Sequence, residues 1–252
     1  MYDLQKANMW KRMSAALFDF IMLGIVAVGL ALLLSVLLGY ETYSDRLNTL
    51  TAQYEAEYGL DFDITAEEYE ALSEEKKQAY AAADEAYGSD PEVSSAYGMI
   101  VSLSLLITTF AILLAYLLLE FLVPLLLGNG QTLGKKIFGV GVMREDGVKL
   151  PHLLLFARTV LGKYTVGTMI PVYIVIMVYF NMMGVFGTVI IGALLLVQAI
   201  LFFGTKAHTP IHDKLAHTVT VDIASQMIFD SPEALLEYKK RIHAEEAETR
   251  ER

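Results

Sequence analysis

Four apolar runs, at roughly residues 14–38, 98–127, 152–182 and 184–204, leave this 252-residue chain few folds to choose from. About 20 consecutive apolar residues cover the ~30 Å hydrocarbon core of a bilayer, and each run is long enough to do so. Within lipid, backbone polar groups must find partners inside the chain, so such runs fold as helices. With 55% of residues hydrophobic and only 19% charged, what remains can build one compact extramembrane module. The expected fold is an all-α membrane protein with four transmembrane helices.

The first run extends from about Met13 to Leu38, longer than the 7–15 apolar residues of a secretory signal, so it is read as an uncleaved span. Four spans put both termini on one side. Lys6, Lys11, Arg12, Lys135, Lys136, Arg144 and Lys149 cluster in the N-terminal segment and the second connection, which the positive-inside rule makes cytoplasmic. Lys135 and Lys136, fenced by glycines in "GQTLGKKIFGVGVMREDG", are read as residues that fix topology and attract anionic head groups.

The first connection has the opposite character. Of the chain's 29 acidic residues, 15 lie within 41–97 against three basic ones, so this acidic insertion (residues 41–96) is expected to be extracytoplasmic. Thr65 and Glu68 stand at capping-box spacing before good helix formers, predicting a helix or helical pair. Tyr58, Tyr69 and Tyr80 recur every 11 residues, a spacing that returns to nearly one face of a helix. A solvated spacer and a module that binds a protein partner both fit this pattern.

Residues 1–40 and 97–222 form the expected transmembrane domain, and 223–252 a charged cytoplasmic tail, with Ser231 and Pro232 opening a solvated helix. "KIFGVGVM", the turn signal Asp146-Gly147 and "VKL" predict a small cytoplasmic β-hairpin, to which the β-rich "HTVTVD" at 217–222 could add a strand. The third apolar region carries Gly162, Gly167 and Pro171. It reads either as one long kinked span or as an interfacial helix at 151–163 followed by a span.

Ionisable residues within spans cost ~2.5 kcal/mol or more at the centre on insertion scales, so each needs a partner or a wet cavity. Asp19, Glu120, Arg158 and Gln198 all fall about 10 Å from the cytoplasmic ends of their spans at 1.5 Å per residue, with Lys163 deeper. Pro124 cannot donate to the carbonyl of Glu120, which frees a backbone acceptor in the same layer. Two readings stay open: the carboxylates of Asp19 and Glu120 neutralise Arg158 and Lys163 and fix helix packing, or this set forms an ion or substrate pathway. Gly184, Thr188 and Gly192 offer a small-residue face for a neighbouring helix.

Other chemistries find no support. The chain has no cysteine, which excludes disulfides and thiolate catalysis. Pro210 interrupts the histidines of "HTPIHDKLAH", so no metal site is expected. Phosphate loops, nucleophile elbows and metalloprotease motifs are absent, so neither an enzyme nor a cofactor is expected. Basic residues are few and hug the membrane, which argues against nucleic acid as a partner.

Four pieces together resemble the RDD family of membrane proteins, named for one arginine and two aspartates. Arg12 and Asp19 match its arginine and first aspartate, and Asp213 in "IHDKLAHTVTV" its second. The 130–147 stretch, with Gly130, Thr132, Gly134, Lys135, Lys136, Gly139 and Gly147, is similar to the family's connecting motif. The resemblance implies a multi-pass protein of a bacterial cell membrane, with transport of an unidentified ligand or cation/proton exchange in some members and partner roles in others. It leads to an expected polar belt in which Asp213 bridges Arg12 and Lys135. The function expected is a membrane scaffold or partner subunit, or alternatively a transporter of a small solute or cation, proton-coupled through Asp19, Glu120 and Arg158. A homodimer accompanies the transport reading, because four helices are few for a path.

Overall fold

The computed structural model describes residues 7–179, 184–204, 213 and 216–250. These fall into two compact units, Met1–Val28 with Ile112–Arg252 and, separately, Gly29–Ala111.

Helix α1 (Met9–Leu37) and α5 (Pro91–Tyr116), which continues through a π-helical turn at Leu117–Leu122 into α6 (Val123–Leu127), supply two of the three helices long and apolar enough to cross a membrane. The third is α8 (His152–Ala157), a π-helical stretch Arg158–Met169 and α9 (Ile170–Tyr179). This third helix runs on without an interfacial break, so Pro171 sits inside a continuous helix. On α1, Trp10, Phe20 and Val36 are each more than two-thirds exposed, as expected where lipid rather than protein covers a helix. The chain is thus a membrane protein. A fourth apolar helix, α10 (Gly184–Gly204), packs against α9. On the small-residue face, no described residue lies within 4 Å of where a Cβ would stand on Gly184 or Gly192.

In the first unit, α7 (Leu133–Ile137) leads into β1 (Val140–Arg144), which pairs antiparallel with β2 (Thr218–Asp222), Val140 opposite Asp222 and Arg144 opposite Thr218. The hairpin expectation needs correction. The Asp146-Gly147 turn forms, but "VKL" returns to β1 through a single bridge, Met143 to Lys149, and the full partner strand comes from beyond α10. Two strands alone are marginal in water. Here Val140, Val142 and Val221 are fully buried, and Val142 joins Leu150 and Leu155 against Phe121 and Leu125. Lys11 Nζ to Asp222 Oδ2, 2.7 Å, and the Ala7 N–H to the Thr220 carbonyl tie the start of α1 to the same sheet.

The C-terminal helix α11 (Pro232–Arg250) is capped by Ser231 Oγ, which accepts from the Ala234 N–H at 3.2 Å. Its charged length is solvated as read, but its first turns are not free: Leu235 is buried with Val148 and Phe229, and Tyr238 packs beside them.

The second unit contains α2 (Tyr40–Tyr58), α3 (Ala66–Glu70) and α4 (Glu74–Ser89). The capping box of Thr65 and Glu68 forms as its spacing predicts, but the helix it opens is only five residues long, and Ser73 caps a second one. The 11-residue tyrosine spacing therefore does not trace one helix face. Tyr58, Tyr69 and Tyr80 sit on three different helices; Tyr69 and Tyr80 meet edge-on at 5.7 Å, while Tyr58 stacks on Tyr54.

Candidate functional site

Seven charged side chains converge in the first unit. Arg12 and Asp19 of α1, Glu120 of the π turn, Lys135 of α7, Arg158 and Lys163 of the π stretch, and Asp213 all line one cavity of about 260 Å³.

Winding explains how the third helix contributes two of them. On a regular α-helix residues five apart point about 140° away from each other at 100° per residue. An i→i+5 ladder instead brings them back to one side, so Arg158 and Lys163 can face the same cavity. Threonine hydroxyls follow that ladder, Thr165 Oγ1 donating to the Val160 carbonyl and Thr168 Oγ1 to the Lys163 carbonyl. The Glu120 carbonyl beside Pro124 accepts from Thr159 Oγ1 at 3.0 Å, which joins the two π segments in the charged layer.

The pairing differs from two carboxylates facing two bases. Lys163 is paired with Glu120. Arg158 Nε donates to Asp213 Oδ1 at 2.8 Å, and Thr218 Oγ1 reaches the same oxygen at 3.1 Å, with both members of the pair almost wholly buried. Arg12 lies within electrostatic reach of both. Asp19 neutralises neither Arg158 nor Lys163: its carboxylate accepts from the Thr132 hydroxyl and from the Gly134 N–H at 2.8 Å, fastening the 132–134 backbone to α1. Thr132 Oγ1 in turn accepts from the Lys135 N–H, capping α7. Gly134 is required there, because a Cβ would stand 2.4 Å from the Ala15 carbonyl oxygen.

Lys135 is where the head-group reading fails. The residue is 9% exposed and its ammonium, fully enclosed, has no hydrogen-bond partner among the described residues. Thr132 and Gly134 hold the short helix against α1, and this turns Lys135 inward; Lys136, the next residue, is exposed as that reading requires. The polar belt therefore forms as a cavity wall, with Asp213 on Arg158 and Lys135 left over. Among the described residues, four bases meet three carboxylates. Phe20, Leu23 and Tyr116 supply apolar wall, and Tyr116 meets Tyr164 edge-on at 6.0 Å while its hydroxyl bonds Thr168 at 2.8 Å.

Gln198 lies on α10 with its side chain outside the described set, and His208 and His212 lie outside the described residues. In the sequence Thr132 is read only as part of the connecting motif and Thr218 only as part of a β-rich stretch, and Thr159 goes unread. Thr132, three residues before Lys135 and followed by a short helix, carried a cap signal; Thr159 lies in an apolar run that gives no local sign of a site.

A model of the RDD family matches residues 6–217, a range that holds all seven charged cavity residues. No curated protein and no solved structure matches the chain.

Proposed function

We propose, from the premise that the chain belongs to the RDD family, that it binds a small organic monoanion, a carboxylate on a short apolar body, in the charged cavity. We place the protein in a bacterial cell membrane with α10 as a fourth span and both termini cytoplasmic. The observation that carries the ligand reading is the enclosed Lys135 ammonium with no hydrogen-bond partner among the described residues. Leaving a buried charged donor unsatisfied costs more than the ~1–3 kcal/mol of a neutral group. A bound oxyanion removes that cost and balances the excess base. Handling of a cation fits less well, since Asp19, Glu120 and Asp213 already accept from other groups. Scaffolding alone gives no reason for an unpaired base in a cavity.

Acetate, butyrate, phosphate and chloride, titrated onto the full chain in neutral detergent, test the reading by thermal shift and calorimetry. Butyrate is expected to stabilise the protein saturably. Lys135→Met keeps the length of the side chain and should weaken that binding about 10- to 100-fold, as for loss of a charge-assisted hydrogen bond. A variant that binds butyrate like wild type, or a wild type indifferent to all four anions, refutes the assignment.

The pH dependence has a definite sign. Burial pulls Lys135 from its ordinary 10.5 down to about 7; repulsion from Lys163 and Arg158 adds to this, and Glu120 and Asp19 offset part of it. Arg12 and Asp213 face the same space. An anion favours the ammonium, so above pH 7 binding takes up a proton. Affinity should be level between the ligand carboxyl's own titration, at about pH 4–5, and pH 7, and fall by up to about tenfold per unit above pH 7. Without ligand the slope reverses. Between 7 and 10.5 the unfolded lysine holds a proton that the folded one has released, so this group's contribution to stability rises with pH.

A further inference from the structure

The second unit holds a cavity of about 590 Å³, within the range of small-ligand sites. Its walls include four aromatic rings, Phe62, Tyr69, Tyr80 and Tyr87, together with the carboxylates of Glu70 and Asp84. The rings are held in place by one another and by their hydroxyls. Tyr69 meets Tyr80 at 5.7 Å and Phe62 meets Tyr87 at 5.8 Å, both edge-on. Tyr80 donates to the Asp61 carbonyl at 2.7 Å, and the Tyr87 hydroxyl bonds Thr51 Oγ1 at 2.9 Å.

We propose that this cavity is a binding site for a small organic ammonium ion. Aromatic faces carry negative potential and attract desolvated ammonium groups, most strongly those that also have apolar surface to bury. Among the described residues no basic side chain lines the cavity, so an anion would face the carboxylates of Glu70 and Asp84. The segment's strong acidic excess raises the local concentration of any cation. A metal ion does not fit these walls, since no group of three ligating side chains occurs among the described residues. The same unit already uses this chemistry on itself: Lys77 Nζ sits 5.9 Å from the Tyr69 ring centre and 3.3 Å from Glu70 Oε2. Asp84, exposed, is the carboxylate left for a ligand.

Choline and its neutral carbon isostere, 3,3-dimethylbutan-1-ol, titrated calorimetrically onto the full chain in neutral detergent, decide the matter. Choline should bind saturably and the isostere at least about tenfold more weakly. Asp84→Asn, a surface change that leaves packing alone, should weaken choline several-fold. Tyr69→Leu should do the same, while Tyr69→Phe, which keeps the ring, retains binding. Lys135→Met should leave choline binding unchanged, which keeps this site separate from the anion reading. Absence of saturable choline binding, equal binding of the isostere, or wild-type affinity in both Asp84→Asn and Tyr69→Leu overturns the proposal.

Discussion

Asp213→Asn is expected to lower the midpoint of thermal unfolding by roughly 6–20 °C, which corresponds to the ~3–5 kcal/mol lost when one partner of a buried ion pair is removed. The change is small in shape, and its size comes from what stays behind. Arg158, 3% exposed, keeps a full charge with its Nε and Nη2 still aimed at a group that no longer balances it, and Arg12 adds a like charge nearby. Thr218 loses its charged acceptor as well. Replacing the pair by apolar residues of similar volume, Arg158→Met with Asp213→Leu, should recover much of the loss, because the desolvation cost of both ions disappears together. A single Asp213→Asn variant that melts with wild type would mean that Arg158 is not held by this aspartate.

Gly134→Ala is the second large effect. The added Cβ would stand 2.4 Å from the Ala15 carbonyl oxygen and 2.9 Å from Asp19 Oδ1, and backbone cannot swing aside as a side chain does. The chain must back away from α1, which breaks the hydrogen bond from the Gly134 N–H to Asp19. Overpacking of ~1–3 kcal/mol combines with loss of a hydrogen bond to a charged acceptor, so about 3 kcal/mol or more is expected. Lys135, the next residue, moves with it, so the butyrate response should vanish too. Gly98→Ala serves as the control: it lies in α5 with nothing within 4 Å of the new methyl, and should be neutral or stabilising by up to ~1 kcal/mol. Equal melting temperatures for the two alanine variants would contradict the close approach.

Helices and charged residues were legible because their signals are local. A long apolar run has one way to satisfy its backbone in lipid, and an ionisable residue inside it announces a partner. Which partner was not legible. The choice of Asp213 for Arg158 depends on residues 55 positions apart, and the facing of Arg158 and Lys163 depends on a π winding that no periodicity argument at 100° per residue contains. Lys135 was misread for a related reason. Two adjacent lysines at the edge of a span look equivalent, and only the fastening of Thr132 and Gly134 to Asp19 turns one inward and leaves the other in solvent. In the insertion, the regular tyrosine spacing imitated one helix. Ser73 starts a new one, so the recurrence counts residues across a bend.

The pairing of β1 with β2 has a consequence for the order in which the protein is made. A ribosome delivers Lys135, Arg158 and Lys163 well before Asp213 and the strand that follows it. Until those last residues emerge, Arg158 lacks its counter-ion and the wall that Thr220 helps to form is open. A nascent chain that stops short of Asp213 therefore leaves exposed to quality-control proteases a bundle that the finished chain closes. Pulse-labelled chains arrested before Asp213 should turn over faster than chains arrested after Asp222, and equal lifetimes would show that assembly does not wait for the second strand.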